Sequence, residues 1–211
     1  LAKRVVIAID GPAAAGKGTL AHRLAAHYGL ACLDTGLLYR AVAAHLKDRS
    51  DEAAAVAVAR ALAPSWLTAP DLRGEQVGAL ASRIAAYPAL RAALRRWQRD
   101  FAHDPAHARG SILDGRDIGT VICPDADLKF FVTASAEARA ARRYKELQES
   151  GASVIYPQIL QDIEARDARD RKRDVAPLIP ADDAIVIDSS DISADAVFEQ
   201  ARKCVDAILG L

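Results

Sequence analysis

The chain has 211 residues, 51% hydrophobic and 27% charged, which suits one globular domain with an ample core. Its 28 basic and 28 acidic side chains cancel, so no global field draws it to nucleic acid or to an anionic membrane. No apolar run approaches the ~18 residues of a membrane span, and Cys32, Cys123 and Cys204 lack the spacing of a disulfide framework or a zinc site.

In chain order, Arg4–Ile9 (RVVIAI) is predicted as a buried strand and Gly18–His27 as the helix after it. Ala31–Leu33 is a short strand, Gly36–Lys47 a helix, and residues 51–63 are helical. Pro64–Gly74 is an irregular stretch marked by Pro70. Helices are predicted over Val77–Ala86 and Ala89–Phe101, split at Tyr87-Pro88 because the residue before proline is pushed out of the α region. Ser111–Leu113, Leu128–Val132 and Ala184–Ile187 are strands. Ser135–Gln148, Tyr156–Arg173 and Asp195–Leu209 are helices, the first two joined by a loop at 150–153. Five short apolar strands interleaved with helices indicate an α/β fold, a five-stranded parallel sheet covered on both faces. Ligands of such sheets sit beyond the carboxyl ends of the strands. The run Leu1-Ala2-Lys3-Arg4 and then Val5–Ile9 is too short for a signal peptide, and a chain without asparagine carries no N-glycan, so the expected location is cytoplasmic.

One segment carries most of the chemistry. The first strand runs into Asp10 and then Gly11-Pro12-Ala13-Ala14-Ala15-Gly16-Lys17-Gly18-Thr19, followed by a helix. Gly11 and Gly16-Lys17 have the GxxxxGK spacing in the strand–loop–helix context of a phosphate loop. Small residues let backbone N–H groups curl around a phosphate, the helix points its positive end there, and Lys17 reaches the β/γ oxygens. Gly18 stands where the strict motif has Ser or Thr, with Thr19 one place on, and GKGT resembles the loop of the nucleoside monophosphate kinases. GTPases of the Ras type normally read guanine with an N-K-x-D element, which a chain without asparagine cannot supply, and this argues against a GTP switch.

Three further clusters follow strands or lie on arginine-bearing helices. Asp34-Thr35-Gly36-Leu37-Leu38-Tyr39-Arg40 follows the second strand. Asp114-Gly115-Arg116-Asp117-Ile118-Gly119-Thr120 follows Ser111–Leu113, and its Asp114 fits the carboxylate that holds Mg²⁺ or its waters beside a phosphate loop. For Arg116 and Asp117 the bland alternative is a turn with a self-paired surface bridge. The third cluster runs from Arg166 to Arg173. Arg166, Arg169, Asp170 and Arg173 fall at i, i+3, i+4 and i+7, on one helix face. Arginine outnumbers lysine 21 to 7 in the whole chain, so a solvated, salt-bridged helix competes with an anion clamp here. Beside a phosphate loop the clamp is favoured, because guanidinium forks match phosphate oxygens.

Taken together, IDGPAAAGKGT, DTGLLYR, SRIAAYPALR, DGRDIGTVICPDADLKFF and RDARDRKRDVAPLIPADDA resemble the bacterial-type cytidylate kinases in content and order, over nearly the whole chain. That resemblance implies ATP-dependent phosphorylation of CMP and dCMP. It implies that Gly11 to Thr19 bind the ATP phosphates, with Arg139 and Arg143 approaching its phosphates or base, and that Thr19 and Asp114 stand near Mg²⁺, through water or directly. Thr35, in place of the family's frequent serine, keeps the hydroxyl. Ser82, Arg91 and Asp117 match positions reading the cytosine edge. Arg40, Arg116 and Arg173 match those holding the monophosphate, and Arg166 and Asp170 those reaching the sugar hydroxyls. Lys17, Arg116 and Arg173 carry the catalytic charge. The implied organisation is one P-loop kinase domain: a core of 1–47, 102–147 and 174–211, a nucleoside monophosphate region near 48–101, and a lid with the arginine-rich helix near 148–173. The family's frequent insert in the monophosphate region is expected to be reduced or absent here, where Pro64–Gly74 is short and marked by proline.

The chemistry agrees independently. Cytosine presents an N4 donor beside N3 and O2 acceptors, which a carboxylate, a cationic fork and a hydroxyl complement. A monophosphate whose second pKa is near ~6 is already nucleophilic at neutral pH, so no general base is required. This suits a chain whose five histidines lie outside every cluster. Two alternatives stand beside this reading: a P-loop kinase of a hydroxyl acceptor, with Asp34 or Asp117 as base, and a nucleotide-binding switch without transfer. Small-molecule nucleotides are the expected partners, with no nucleic acid, no membrane, and a monomer by default.

Overall fold

A computed structural model describes residues 4–46, 51–104, 106–107, 109–149 and 151–211. Residues 1–3, part of the run read as too short for a signal peptide, Lys47 as a helix end, residues 48–50 at the start of the monophosphate region, and Ser150 in the lid loop lie outside the described residues.

The central strand shows why the sheet forms. Val5–Asp10 (β1) is buried along almost its whole length, as a strand covered on both faces must be. It pairs in parallel with Gly110–Gly115 (β3) on one side and Leu128–Thr133 (β4) on the other. With Ala31–Asp34 (β2) and Ile185–Asp188 (β5) the order is β2-β3-β1-β4-β5. β1 is therefore the switch point, and the carboxyl ends of β1 and β3 frame the place where ligands bind in such sheets. β5 departs from the expectation of a sheet covered on both faces: as the outermost strand it buries Ile187 and leaves Ile185 and Val186 exposed. Every strand also runs past its apolar run, by one residue in β1, β2, β4 and β5 and by two in β3. Asp10 still pairs with Gly115 and Phe131, because backbone pairing does not depend on apolar side chains.

The chain separates into two compact units, Leu1–Leu33 with Pro105–Leu211, and Asp34–Asp104. In the first, Lys17–Tyr28 (α1) and Ala194–Leu209 (α8) cover the sheet. Ile7, Ile9, Leu24, Ile112 and Phe130 are almost completely buried in its core, and such side chains contribute about 1.5–3 kcal/mol each. Ser193 caps α8 by accepting from the Ala196 N–H at 3.1 Å, and Gly210 ends it in the left-handed conformation. Ala136–Glu149 (α6) and Tyr156–Arg171 (α7) form a hairpin around Ala140, Ile159 and Ile163.

The second unit is helical: Gly36–His45 (α2), Glu52–Arg60 (α3), Glu75–Ile84 (α4) and Pro88–Ala102 (α5). α2 packs on α4 and α3 on α5, around Leu38, Val42, Ile84, Leu90 and Leu94. The stretch expected to be irregular holds two short 3-10 helices, Pro64–Thr68 and Pro70–Arg73, each opened by a proline whose fixed φ suits a first turn. The second buries Leu72. α7 stops two residues before the expected Arg173. A π-turn at Ile118–Ile122, invisible in the sequence pattern, follows β3.

Candidate active site

The phosphate loop is shaped by backbone that few residues tolerate. Gly11 has φ 145°, and a Cβ there would lie 1.9 Å from the Val132 carbonyl oxygen, so only glycine fits between β1 and β4. Gly16, at φ 89°, turns the chain into α1. No side chain caps that helix and its first turn carries no acid, so its N-terminal N–H groups stay available to an anion. Pro12 and Ala15 are buried, whereas Ala14 and Thr19 are exposed.

Lys17 is buried and folds back over the loop, its Nζ donating to the Pro12 carbonyl at 2.8 Å and lying 3.9 Å from Asp114 Oδ1. Burial, and then the nearby Arg116 charge, lower its pKa to about 7, with Asp114 acting in the opposite sense. Gly18 lies beside that carboxylate: a Cβ at this position would meet Asp114 Oδ2 at 3.4 Å, an ordinary contact. Asp10, at the end of β1, accepts from the N–H groups of Ile118 at 2.8 Å and Gly119 at 2.7 Å. Its burial outweighs those bonds and pushes the carboxyl up to about 7.

A second assembly gathers the arginines of the first unit. Asp170 is 1% exposed. It accepts from Arg116 Nε at 3.2 Å and from Arg173, while Arg166 Nε lies 4.0 Å away. Burial alone would raise the Asp170 carboxyl, but the Arg116, Arg173 and Arg166 charges together hold it below the usual carboxylate range. Arg169, expected on this face, is exposed, and Arg173 reaches Asp170 from beyond the end of α7. Arg116 also donates to the Gly115 carbonyl at 3.0 Å, and Asp117 beside it is buried.

Arg139 is engaged on every side. Its Nε donates to the Ala134 carbonyl at 2.9 Å and its Nη1 to the Ala13 carbonyl of the phosphate loop at 3.3 Å. The remaining edge forms a fork on Asp167, at 3.0 and 2.6 Å. Arg143 is partly exposed and pairs with Glu146 at 2.9 Å.

A cleft of about 320 Å³ opens beside the loop, with Thr19 and Leu20 on one side and Arg142, Ile192 and Val197 on the other. Ser189 fixes its base, donating to the Ala15 carbonyl at 3.0 Å and accepting from Arg142 Nη1 at 3.0 Å.

In the second unit, Thr35 is buried at the start of α2. Arg40 Nη1 donates to the Leu72 carbonyl at 2.7 Å and the Gly74 carbonyl at 3.3 Å. Gly78 makes room for that guanidinium, since a Cβ there would approach it to 2.9 Å. Arg91 is buried, donates to the Ala85 carbonyl at 3.0 Å and stands 5.8 Å over the Tyr39 ring. Ser82 is buried on α4 with no hydrogen-bond partner for its hydroxyl, which leaves that group to a ligand. His45 stacks on Trp66 at 3.8 Å, and in the first unit His27 packs edge-on against Tyr28 and Phe198, both packing roles.

Within the first unit the structure thus brings Lys17, Asp114 and the loop together in one group, and Arg116, Arg166, Asp170 and Arg173 in another. Asp10, Asp167, Arg142 and Ser189 escaped the sequence reading. Asp167 was within reach, being four residues after the apolar Ile163 on the buried stripe of α7. The others join residues far apart in the chain.

The sequence profile of the cytidylate kinase family matches residues 7–207. A cytidylate kinase of Paramagnetospirillum magneticum is 56% identical over 93% of this chain and 95% of its own, and one of Methylocella silvestris is 54% identical over 96% and 94%. A crystal structure of an uncharacterised protein from Eubacterium ventriosum superposes with a TM-score of 0.57 at 15% identity, covering 96% of this chain and 99% of that one, a likeness of fold.

Proposed function

This chain belongs to the cytidylate kinase family, and from that premise we propose how its residues divide the work. The reaction is transfer of the γ-phosphoryl group of ATP to CMP or dCMP, giving ADP and CDP or dCDP. Gly11 to Thr19 wrap the donor phosphates, and the uncapped start of α1 adds its positive end. Lys17 moves from the Pro12 carbonyl to the β/γ oxygens and carries charge in the transition state. Arg139 acts on the donor by holding the Ala13 carbonyl of the loop, and Arg143 reaches in from the same helix. The cleft between Leu20, Arg142 and Val197 takes the flat purine of ATP.

Mg²⁺ fits the donor set. Among the described residues no group of three or more His, Cys, Asp or Glu could hold a metal alone. One carboxylate, Asp114, and the exposed Thr19 hydroxyl suit an ion that keeps water and phosphate as its other ligands. Bound there, it would neutralise developing charge on the phosphates.

Asp117 with Arg91 and Ser82 reads the cytosine edge. Arg40, Arg116 and Arg173 hold the acceptor phosphate, Thr35 lends its hydroxyl, and Arg166 and Asp170 meet the sugar. The acceptor phosphate attacks as a dianion, so positioning and cationic charge suffice. The observation that carries a phosphorylated acceptor is the convergence of Arg116, Arg166 and Arg173 on the buried Asp170. A hydroxyl acceptor would need an aspartate base instead of that much positive charge. The same proposal keeps residues near 48–101 as the monophosphate region and those near 148–173 as the lid, in a cytoplasmic monomer. No helix among the described residues is long and apolar enough to cross a membrane.

The test is coupled ADP release with Mg·ATP and CMP, dCMP, UMP, AMP, GMP or shikimate offered separately. Turnover concentrated on CMP and dCMP supports the proposal. Turnover on another acceptor overturns the cytosine assignment, and ATP binding with no transfer to any acceptor overturns the kinase reading.

A further inference from the structure

Arg116 and Asp117 are bracketed by two attachments to one residue. On one side, Gly115 pairs in register with Asp10 in the ladder between β1 and β3. On the other, the Asp10 carboxylate accepts from Ile118 N–H at 2.8 Å and Gly119 N–H at 2.7 Å. Those N–H groups open the π-turn, whose own bonds begin later: Val121 and Ile122 donate to the Asp117 carbonyl at 2.9 and 3.1 Å, and Cys123 to Ile118 at 2.7 Å. The first N–H groups of any helical turn lack partners within it, and here a side chain 108 residues away in the chain supplies them. Asp10 itself lies between two strands, being paired with Phe131 of β4 as well.

We propose that Asp10 is a positioning residue for the acceptor site: by capping the π-turn it sets where the Arg116–Asp117 pair stands. A second hold on the turn comes from Lys129, at Gly119 and at Pro124 just beyond its end. Lys129 packs its stem against Gly119, where a Cβ would lie 3.1 Å from its Cδ, and Nζ donates to the Pro124 carbonyl at 2.6 Å and to Asp183 at 2.8 Å. Asp10 thereby ties acceptor recognition to the strand that also feeds the phosphate loop. Its carboxylate does no chemistry on either nucleotide. The inference rests on the assignment of Asp117 to the base edge.

The test is Asp10→Asn. The amide keeps the shape but turns an NH₂ group against one of the two N–H donors, so about half the cap is lost. The KM for CMP should rise about tenfold, and the preference for CMP over UMP should fall, while the KM for ATP moves less than about twofold. Equal rises in both KM values, or an unchanged KM for CMP, would overturn the proposal. Should Asp10→Asn not fold, Gly119→Ala disturbs the same turn with Asp10 intact: its Cβ would press on Lys129 at 3.1 Å and touch Asp10 Oδ2 at 3.4 Å, so the Gly119 N–H must shift against the carboxylate or the Lys129 stem must give. A smaller shift of the same pattern is expected, and no shift in the KM for CMP counts against the capping role. Asp117→Ala is measured alongside. Unchanged selectivity there defeats the Asp117 assignment, and with it the purpose of the cap. Lost selectivity there with no effect of Asp10→Asn or Gly119→Ala defeats the cap alone.

Discussion

Arg139 and Asp167 meet fork to fork, at 3.0 and 2.6 Å, with side chains 3% and 9% exposed. The pair joins α6 to α7, and the same guanidinium holds the Ala13 carbonyl, so the helical hairpin is fastened to the crest of the phosphate loop. Desolvating both ions cancels much of their attraction, but removing one partner strands the other. Asp167→Ala should therefore lower unfolding free energy by about 3–5 kcal/mol, read from urea denaturation. Arg139→Met with Asp167→Leu should recover most of that loss while ATP affinity stays weakened, because the hold on Ala13 is gone. An Asp167→Ala protein as stable as the parent would refute the role given to the pair.

Lys17→Ala deletes the one lysine of the phosphate loop. Loss of a single donor aimed at transition-state charge typically costs about 10²–10³ in kcat, and that is the expected fall in single-turnover transfer. The fold should survive, because Lys17 spends its ammonium on one carbonyl and a carboxylate 3.9 Å away. Near-parental turnover would remove Lys17 from the chemistry.

The parts of this site that were legible in the sequence are those built from neighbours in the chain. Gly11, Gly16 and Lys17 announce their loop because strand, turn and helix follow one another within residues 5–28. Asp114 announces itself by ending an apolar run. What was hidden depends on pairing across the fold. The π-turn exists where Asp10 caps it from 108 residues away, and no periodicity encodes that. Arg142 and Ser189 meet over 47 residues through the β5–α8 connection. Helical spacing puts Arg173 on one face with Asp170, and the two do pair, but α7 ends at Arg171 and Arg173 reaches Asp170 from beyond it.

Asp117→Ala tests base reading. Uracil would set its O4 acceptor against this carboxylate, a clash of about 1–3 kcal/mol, or roughly 5- to 150-fold in selectivity. Removing the carboxylate should shrink the ratio of kcat/KM for CMP over UMP by that order, chiefly by weakening CMP, and leave the KM for ATP nearly unchanged. A ratio that is the same before and after would assign the cytosine edge to other groups.

Lys17 also predicts a proton inventory for ATP binding. In the free protein burial and the Arg116 charge hold its pKa at about 7, below the usual lysine range. Donor phosphates placed against Nζ favour the charged form and raise that value. At pH 8 the free ammonium is mostly neutral and the bound one charged, so binding takes up close to one proton. Well below pH 7 Lys17 is charged in both states and contributes none. By linkage, the contribution of Lys17 to ATP affinity falls as pH rises through about 7. Calorimetric titration at pH 8 in two buffers of different ionisation heat reads the uptake directly, with the terminal phosphate of free ATP already ionised. Lys17→Met should abolish the uptake, and Arg116→Ala should reduce it by raising the Lys17 pKa in the free protein. Uptake that persists in Lys17→Met would place the titrating group elsewhere, with Asp10, also held at about 7 by burial, the next to replace.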